Sequence, residues 1–408
     1  MNNKDKNPKD KSKARYTGRK QSYLGIGVNK ELIDEIKNIK FKKSYAGEEL
    51  NIFVGRHGYP NLNVGFLGNE QVEQIFDAPK EWAKKDFQIP LISGMRSSLI
   101  NSRFKAQVKT HNTRLLDKAQ EVALSNNPVD VDVELVKDPK KNLNLHKFSY
   151  PTGPAAELKK VTITSNPKIP KQVDYVVSDT DLKADKAIVS LYRKGFDEHY
   201  LTKILSTANL GLRSNRKLVP TRWSITATDD IIGKQLINDI TKYPSCDYKV
   251  TFGGYLGNYY IIMFLPGPFA YELFEIEVDS GQYETDYETS FGRKDYAKNC
   301  VGGYYANRLA VLEKLKSIKR TGTIITIRFI TDKYYQPLGV WVVREASRKS
   351  LNERELEFAD KKLMLKYVIG VAKKYFNHNL KEILAKSKLL KEVTFQRRLG
   401  EFSKGFKY

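Results

Sequence analysis

Three closely spaced runs limit what this chain can become: DYKVTF (247–252), YYIIMFL (259–265) and AYELFEIEV (270–278). Branched and aromatic residues at this density favour pleated strands. GGYLGN (253–258) and PGP (266–268) supply turns between them. The pattern predicts a β-meander forming a core sheet, which needs helices to cover it. At 408 residues the chain has material for one large core or two domains. TIITIRFI (323–330) and PLGVWVVREA (337–346) read as a further strand pair. An amphipathic helix is expected over 301–318, and a long helix over roughly 352–374. The expected class is α+β, with a mixed or antiparallel sheet core and flanking helices. The polar interval 281–299 reads as a surface excursion and candidate lid. Glu272, Glu275 and Glu277 stand on the last run, the latter two on one face. Carboxylates so placed suit metal binding or acid–base work, or simply the wet side of a sheet.

The N-terminal half alternates helix and strand signals. A helix with Asn29 as its cap would carry Leu32, Ile33, Ile36 and Ile39 on one face. Short strands at Ile52–Val54 and Leu62–Val64 flank a glycine-rich turn holding Arg56 and His57. Glycines let a ligand approach the backbone, and Arg and His are partners for an anion. Residues 79–125 read as helical and basic, and DVDVELV (130–136) as a strand. Pro154 is placed near a helix start, and VDYVVS (173–178) is placed in a strand. Residues 184–207 read as two helices broken at Gly195, a pattern shared by helical hairpins and helix-turn-helix readers.

NRKLVPTRWSITATDD (215–230) is dense in chemistry. Apolar and polar residues alternate from Trp223 to Thr228, which predicts a half-buried strand opening after Pro220. Asp229 and Asp230 would cap a following helix near Ile231–Ile240. Arg56, His57, Arg222, Ser224 and Glu275 form the candidate catalytic centre. Arg56, His57, Arg216, Lys217 and Arg222 form the candidate phosphate-binding set, with Arg56 and Arg222 expected at one concave surface.

Charge narrows the partners. Lys and Arg number 70 against 47 Asp and Glu, a net +23, which attracts polyanions, nucleic acid first. Residues 1–20 carry +6 and read as a disordered basic tail. Cys246 and Cys300 suggest neither a disulfide framework nor a CxxC zinc site. The five histidines form no HxxH or HxxxH pair, so no metal is assigned, and no cofactor is identified. The longest apolar run, Tyr259–Leu265, is too short to span a bilayer. No membrane partner is expected, and a reducing cytoplasm is the default.

FVGRHGYPNLNVG (53–65), SYPTGPAAEL (149–158), LVPTRWSITATDD (218–230) and LPGPFAYELFEIE (265–277) together resemble the archaeal Nre proteins, which are associated with DNA repair. The resemblance runs from about residue 20 to the C-terminus. It implies a family N-terminal region over 21–300, a C-terminal region over 301–390 and a terminal tail over 391–408. Family members often carry a cysteine-rich segment near the N-terminus; here ARYTGRKQSYLGIG (14–27) stands in its place. Gln396, Leu399 and Phe402 match Q-x-x-L-x-x-F, the core of a sliding-clamp (PCNA) docking motif, and Nre proteins typically end in one. Such a segment orders as one helical turn whose two apolar side chains plug a pocket. The expectation is a DNA-repair protein recruited by the clamp and holding DNA without sequence preference. Two alternatives stay open: an enzyme on nucleotide or nucleic acid, nuclease- or ADP-ribosyltransferase-like, or a non-catalytic clamp adaptor.

Overall fold

Valines at 129, 131 and 133 point inward while Asp130, Asp132 and Glu134 point out, and this alternation builds a barrel. The computed structural model describes residues 36, 38–109, 113–140 and 151–395. The 1–20 tail, most of the helix expected from Asn29, and the clamp-type residues Gln396, Leu399 and Phe402 lie outside them.

In the first unit, β1 (Ser44–Val54) and β2 (Asn61–Asn69) form a hairpin. Helices α1 (Pro79–Lys84) and α2 (Ile89–Ser97) lead to β3 (Ile100–Gln107). Helix α3 (Arg114–Leu124) then precedes β4 (Val129–Leu135) and β5 (Ala155–Ile163). The strands close in the order β1-β2-β3-β5-β4. Only β3 and β5 run parallel; the other pairs are antiparallel. Inside lie Ile52, Val54, Leu62, Val64, Phe66 and Phe104, joined by Leu116 and Val122 of α3. Each such side chain contributes about 1.5–3 kcal/mol by burial. A bulge between Glu49 and Asn51 flips the parity of β1. Before it Tyr45 and Glu49 face inward; after it Ile52 and Val54 do.

Helices α4 (Lys171–Ser178), α5 (Ala184–Arg193), α6 (Glu198–Ser206) and α7 (Thr221–Ile240) connect the barrel to a sheet. That sheet holds β6 (Lys249–Tyr255), β7 (Asn258–Leu265), β8 (Ala270–Glu277), β9 (Tyr283–Glu288), β10 (Thr323–Ile330) and the short β11 (Leu356–Glu357). Helix α8 (Val301–Ser317) follows β9, and α9 (Trp341–Asn352) follows β10. Helices α10 (Lys361–Phe376), α11 (Lys381–Lys386) and α12 (Lys388–Phe395) complete the described chain. The strand order is β11-β6-β7-β10-β8-β9. On one face Tyr260, Ile262, Tyr271 and Ile324 pack with α7, α8 and α9. On the other, Ile261, Met263, Ile325 and Ile327 pack under α10, α11 and α12. Burial on both faces explains why these strands read as continuous apolar runs.

The architecture is α+β with mixed pairing, as expected. Several local expectations give way. The meander is split: β10 inserts between β7 and β8, antiparallel to the first and parallel to the second. PLGVWVVREA is not its strand partner but leads into α9, where Val342, Val343, Ala346, Ser350 and Leu351 are buried at helical spacing. VDYVVS is helical in α4, which starts after Pro170 and buries Val173 and Val176. Pro154 opens the strand β5 rather than a helix. The helical expectation for 79–125 misses β3, whose NSRFKAQ tail alternates with period two. The helix expected at 352–374 begins at Lys361 instead.

Residues 223–228 are helical as well, within α7. The reason is an inverted polarity code. Ser224, Thr228 and Asp229 are buried while Trp223 is 52 % exposed. With Ile232, Gly233, Leu236 and Ile240 the buried positions follow a helical repeat, so the interior face is polar for two turns. Asp229 and Asp230 therefore sit inside α7 and cap nothing.

Candidate functional site

The end of β1 and the start of α7 meet at one rim of the barrel. The Val54 amide donates to Thr221 Oγ1 at 2.9 Å, covering the β1 edge that extends beyond β4. Ser206 and Leu218 tie the approach to α7: Ser206 Oγ donates to the Val219 carbonyl at 2.8 Å, and the Leu218 amide to Val108 O at 3.0 Å. Pro220 has no amide to leave unsatisfied at the helix start. The Val54–Thr221 bond keeps the Cα atoms of Arg56 and Arg222 within about 18 Å, by the reach of the intervening chain.

Arg56, His57, Tyr59, Lys217, Arg222 and Trp223 are all exposed around this rim. Arg56 Nε donates to His57 Nε2 at 3.4 Å. Arg222 makes no ion pair among the described residues. The two carboxylates that would hold it structurally are taken: Asp229 by Arg344, and Glu275 by Arg328 at 2.5 Å. Arg216 has another job. Its guanidinium donates to the carbonyls of Gly211, Val177 and Asp179 and holds the preceding loop. Ser224 is fully buried, with its hydroxyl on the Val219 carbonyl. Glu275 lies in the sheet against Gly303, where a Cβ would come within 2.8 Å of its Oε1. The structure thus leaves Arg56, His57 and Arg222 exposed within the reach that the Val54–Thr221 bond sets, turns Ser224 inward and engages Glu275 elsewhere.

The outer barrel surface adds residues that the sequence reading did not single out. Phe53, Gly65 and Arg103 stand side by side across β1, β2 and β3. Lys105 is the next outward residue along β3, opposite Asn63. Phe53 is 39 % exposed and Tyr59 63 % exposed. The signal for this face was the period-two alternation of SRFKAQ, hidden inside a stretch that scores as helical and basic.

Behind the rim lies a buried ionic network. Glu198, at the start of α6, meets Arg348, Arg344 and Lys80. Burial alone would raise its pKa, but Arg348 and Arg344 outweigh that and hold the carboxyl well below its usual range. Asp229 takes two bonds from Arg344 Nη1 at 2.5 and 2.6 Å, yet burial pushes it up to about 6. Arg348 also binds Glu313 and Glu345. Glu198, His199 and Glu345 place ligand-type atoms within 4.8 Å of one another. Arg348 donates to both carboxylates and Lys80 also pairs with Glu198, so their charge is already compensated. Such a set is a structural knot, poorly suited to a cation. The helix pair α5–α6 is part of it. Glu198, Leu201, Thr202 and Ile204 are buried, and α6 is wedged against α7 and the barrel, so it offers no free face to a DNA groove.

Among the described residues, no helix is long and apolar enough to cross a membrane. Cys246 and Cys300 are buried free thiols.

Comparison with known proteins adds a second line of observation. The family model for the N-terminal region of archaeal Nre matches residues 21–284, and that for the C-terminal region matches residues 288–402. The chain is 35 % identical over 367 residues to the DNA repair protein NreB of Archaeoglobus fulgidus, covering 86 % of this chain and 90 % of that one. It is 33 % identical over 335 residues to the DNA repair protein NreA of Haloferax volcanii, covering 78 % and 79 %. It is 36 % identical over 313 residues to NreA of Archaeoglobus fulgidus, covering 74 % and 79 %. No solved structure matches.

Proposed function

The chain belongs to the archaeal Nre family, and from that membership we propose that it acts in DNA repair, meeting DNA through its basic surface and reaching it through the sliding clamp. The observation that carries the reading is coverage: a relative named as a DNA repair protein matches over 86 % of this chain and 90 % of its own length. The exposed cations Arg56, Lys217 and Arg222 at the barrel rim support DNA contact, as does the net +23. Gln396, Leu399 and Phe402 support clamp docking, and the C-terminal family match runs to residue 402. An enzyme built on Ser224 and Glu275 has less support, because one is buried against a carbonyl and the other is paired with Arg328.

Two measurements test the proposal. A peptide of residues 390–408 should bind an archaeal sliding clamp at micromolar strength, and Leu399→Ala with Phe402→Ala should abolish binding. Retained binding by the double variant would overturn the clamp assignment. The full chain should bind DNA with log affinity falling linearly in log salt, through release of counterions. Affinity independent of salt would overturn the phosphate-contact assignment.

A further inference from the structure

We propose that the outer face of β1, β2 and β3 is a binding surface for single-stranded DNA, with bases stacking on Phe53 and Tyr59 and phosphates held by Arg103, Lys105 and Arg56. This rests on the DNA-repair reading and names its substrate form.

The topology is the first support. A closed five-stranded barrel ordered β1-β2-β3-β5-β4, with β3 parallel to β5 and a helix between β3 and β4, has the OB architecture. In such barrels the β2–β3 face and the β1–β2 and β4–β5 loops are the usual ligand surface. Fold alone does not assign a ligand, so the side chains must carry the rest.

They do so in three ways. First, Phe53 faces out and is 39 % exposed, while Ile52 and Val54 of the same strand face in. Second, Gly65 lies between Phe53 and Arg103 in the cross-strand row. The Asn101 side chain takes the space a Cβ at Gly65 would need, so the row presents ring, amide and guanidinium side by side. Third, charge is segregated around the barrel. The outward positions of β3 carry Arg103 and Lys105, and those of β2 carry no carboxylate. The outward positions of β4 carry Asp130, Asp132 and Glu134. Glu157 is the register partner of Arg103 on β5, but the two form no ion pair among the described residues. The basic side is the side with the exposed rings, since the one outward carboxylate of β1, Glu48, lies before the bulge and beside Asp130 of the acidic side.

The β1–β2 loop extends this face with Arg56, His57 and Tyr59, and Trp223 is 52 % exposed across the Val54–Thr221 contact. Three strands span roughly 10 Å, the width of one nucleic-acid strand rather than a duplex. Rings lying on the sheet stack with unpaired bases, whereas a duplex hides its base faces.

The test uses the full chain and fluorescently labelled 30-mers: oligo-dT, a mixed duplex, and the matching RNA strand, each titrated by anisotropy at several salt concentrations. The single DNA strand should bind at least tenfold tighter than the duplex and no weaker than the RNA. Phe53→Ala with Tyr59→Ala should weaken single-strand binding at least tenfold while leaving the salt slope unchanged. Arg103→Gln with Lys105→Gln should weaken it and flatten that slope by between one and two units. Tyr59 is on a loop and Arg103 is exposed, so the single variants Tyr59→Ala and Arg103→Gln keep the test open if Phe53→Ala fails to fold. Equal affinity for strand and duplex, preference for RNA, or full binding by both double variants would overturn the proposal while leaving a DNA-repair role standing. No binding to any DNA would overturn the phosphate-contact reading with it.

Discussion

Glu49→Gln should stabilise the protein at neutral and alkaline pH and change it little in acid. Glu49 is 1 % exposed within the barrel, where the β1 bulge turns it inward. Its Oε1 accepts the Tyr45 hydroxyl at 2.9 Å, and Oε2 has no partner among the described residues. Burial pushes the carboxyl from 4.5 up to about 8, opposed only by the Tyr45 hydrogen bond. The folded state therefore holds a proton that the unfolded chain releases above about pH 4.5. Since the folded state binds more protons in this window, stability falls as pH rises from about 4.5 to about 8, by up to about 1.4 kcal/mol per unit. By pH 7 the accumulated loss approaches about 3 kcal/mol. Glutamine keeps an acceptor for Tyr45 and has no proton to lose, so it removes the slope. Urea unfolding at pH 5, 6, 7 and 8, at fixed ionic strength, measures this. The stability gained by the variant should widen by at least about 2 kcal/mol between pH 5 and pH 8, with the urea m-value unchanged. A gain independent of pH, or a variant weaker than wild type at pH 8, would refute a neutral Glu49.

Arg344→Met should cost about 3–5 kcal/mol, because it leaves Asp229 and Glu198 buried without their shared guanidinium; the loss should be smaller at pH 5, where Asp229 can take up a proton, and an equal or larger loss there would count against the account. Glu272→Ala removes the acceptor for Ser387 Oγ and for the amides of Lys388 and Leu389, so limited proteolysis should cut near the start of α12 much faster than in wild type; unchanged cutting would mean that apolar packing alone seats that helix. Arg222→Lys keeps the charge but loses the planar fork, so DNA affinity should drop severalfold with melting temperature within about a degree of wild type, and a lowered melting temperature would reassign Arg222 to holding the fold.

Where hydropathy and burial agree, the sequence was easy to read. DVDVELV alternates cleanly, and the runs at 247–278 are strands. The misreadings share a cause: tertiary contacts fill positions that local pattern assigns to solvent. Asp229 is interior because Arg344 pairs with it and Ser224 because the Val219 carbonyl accepts its hydroxyl, with Thr228 buried on the same face, so a helix with polar inward turns looks like a strand. PLGVWVVREA looked like a strand because its apolar cluster is short and β-branched; Glu345 and Ser347 are buried beside it in α9. Arg56 and His57 could be picked out from their glycine-rich turn, and Arg222 from its Pro-bounded start. Arg216 could not be told from Arg222 by sequence, since only the fold shows three carbonyls converging on it. Phe53 and Arg103 are far apart in the chain and become neighbours only through the register of β1, β2 and β3.

The position of β10 bears on how the polypeptide is made. Strands β6 and β7 can pair as soon as both have left the ribosome, and so can β8 and β9. Neither hairpin can join the other, because their shared neighbour is β10, synthesised only after α8. Until then β7 and β8 each present a long apolar edge with unpaired amides and carbonyls, the kind of edge that recruits strands from other chains. Nascent chains stalled before Thr323 should therefore be captured by chaperones or aggregate, whereas chains extended past Ile330 should become resistant to protease across 249–288 in a single step. One late strand makes completion of the sheet an all-or-none event.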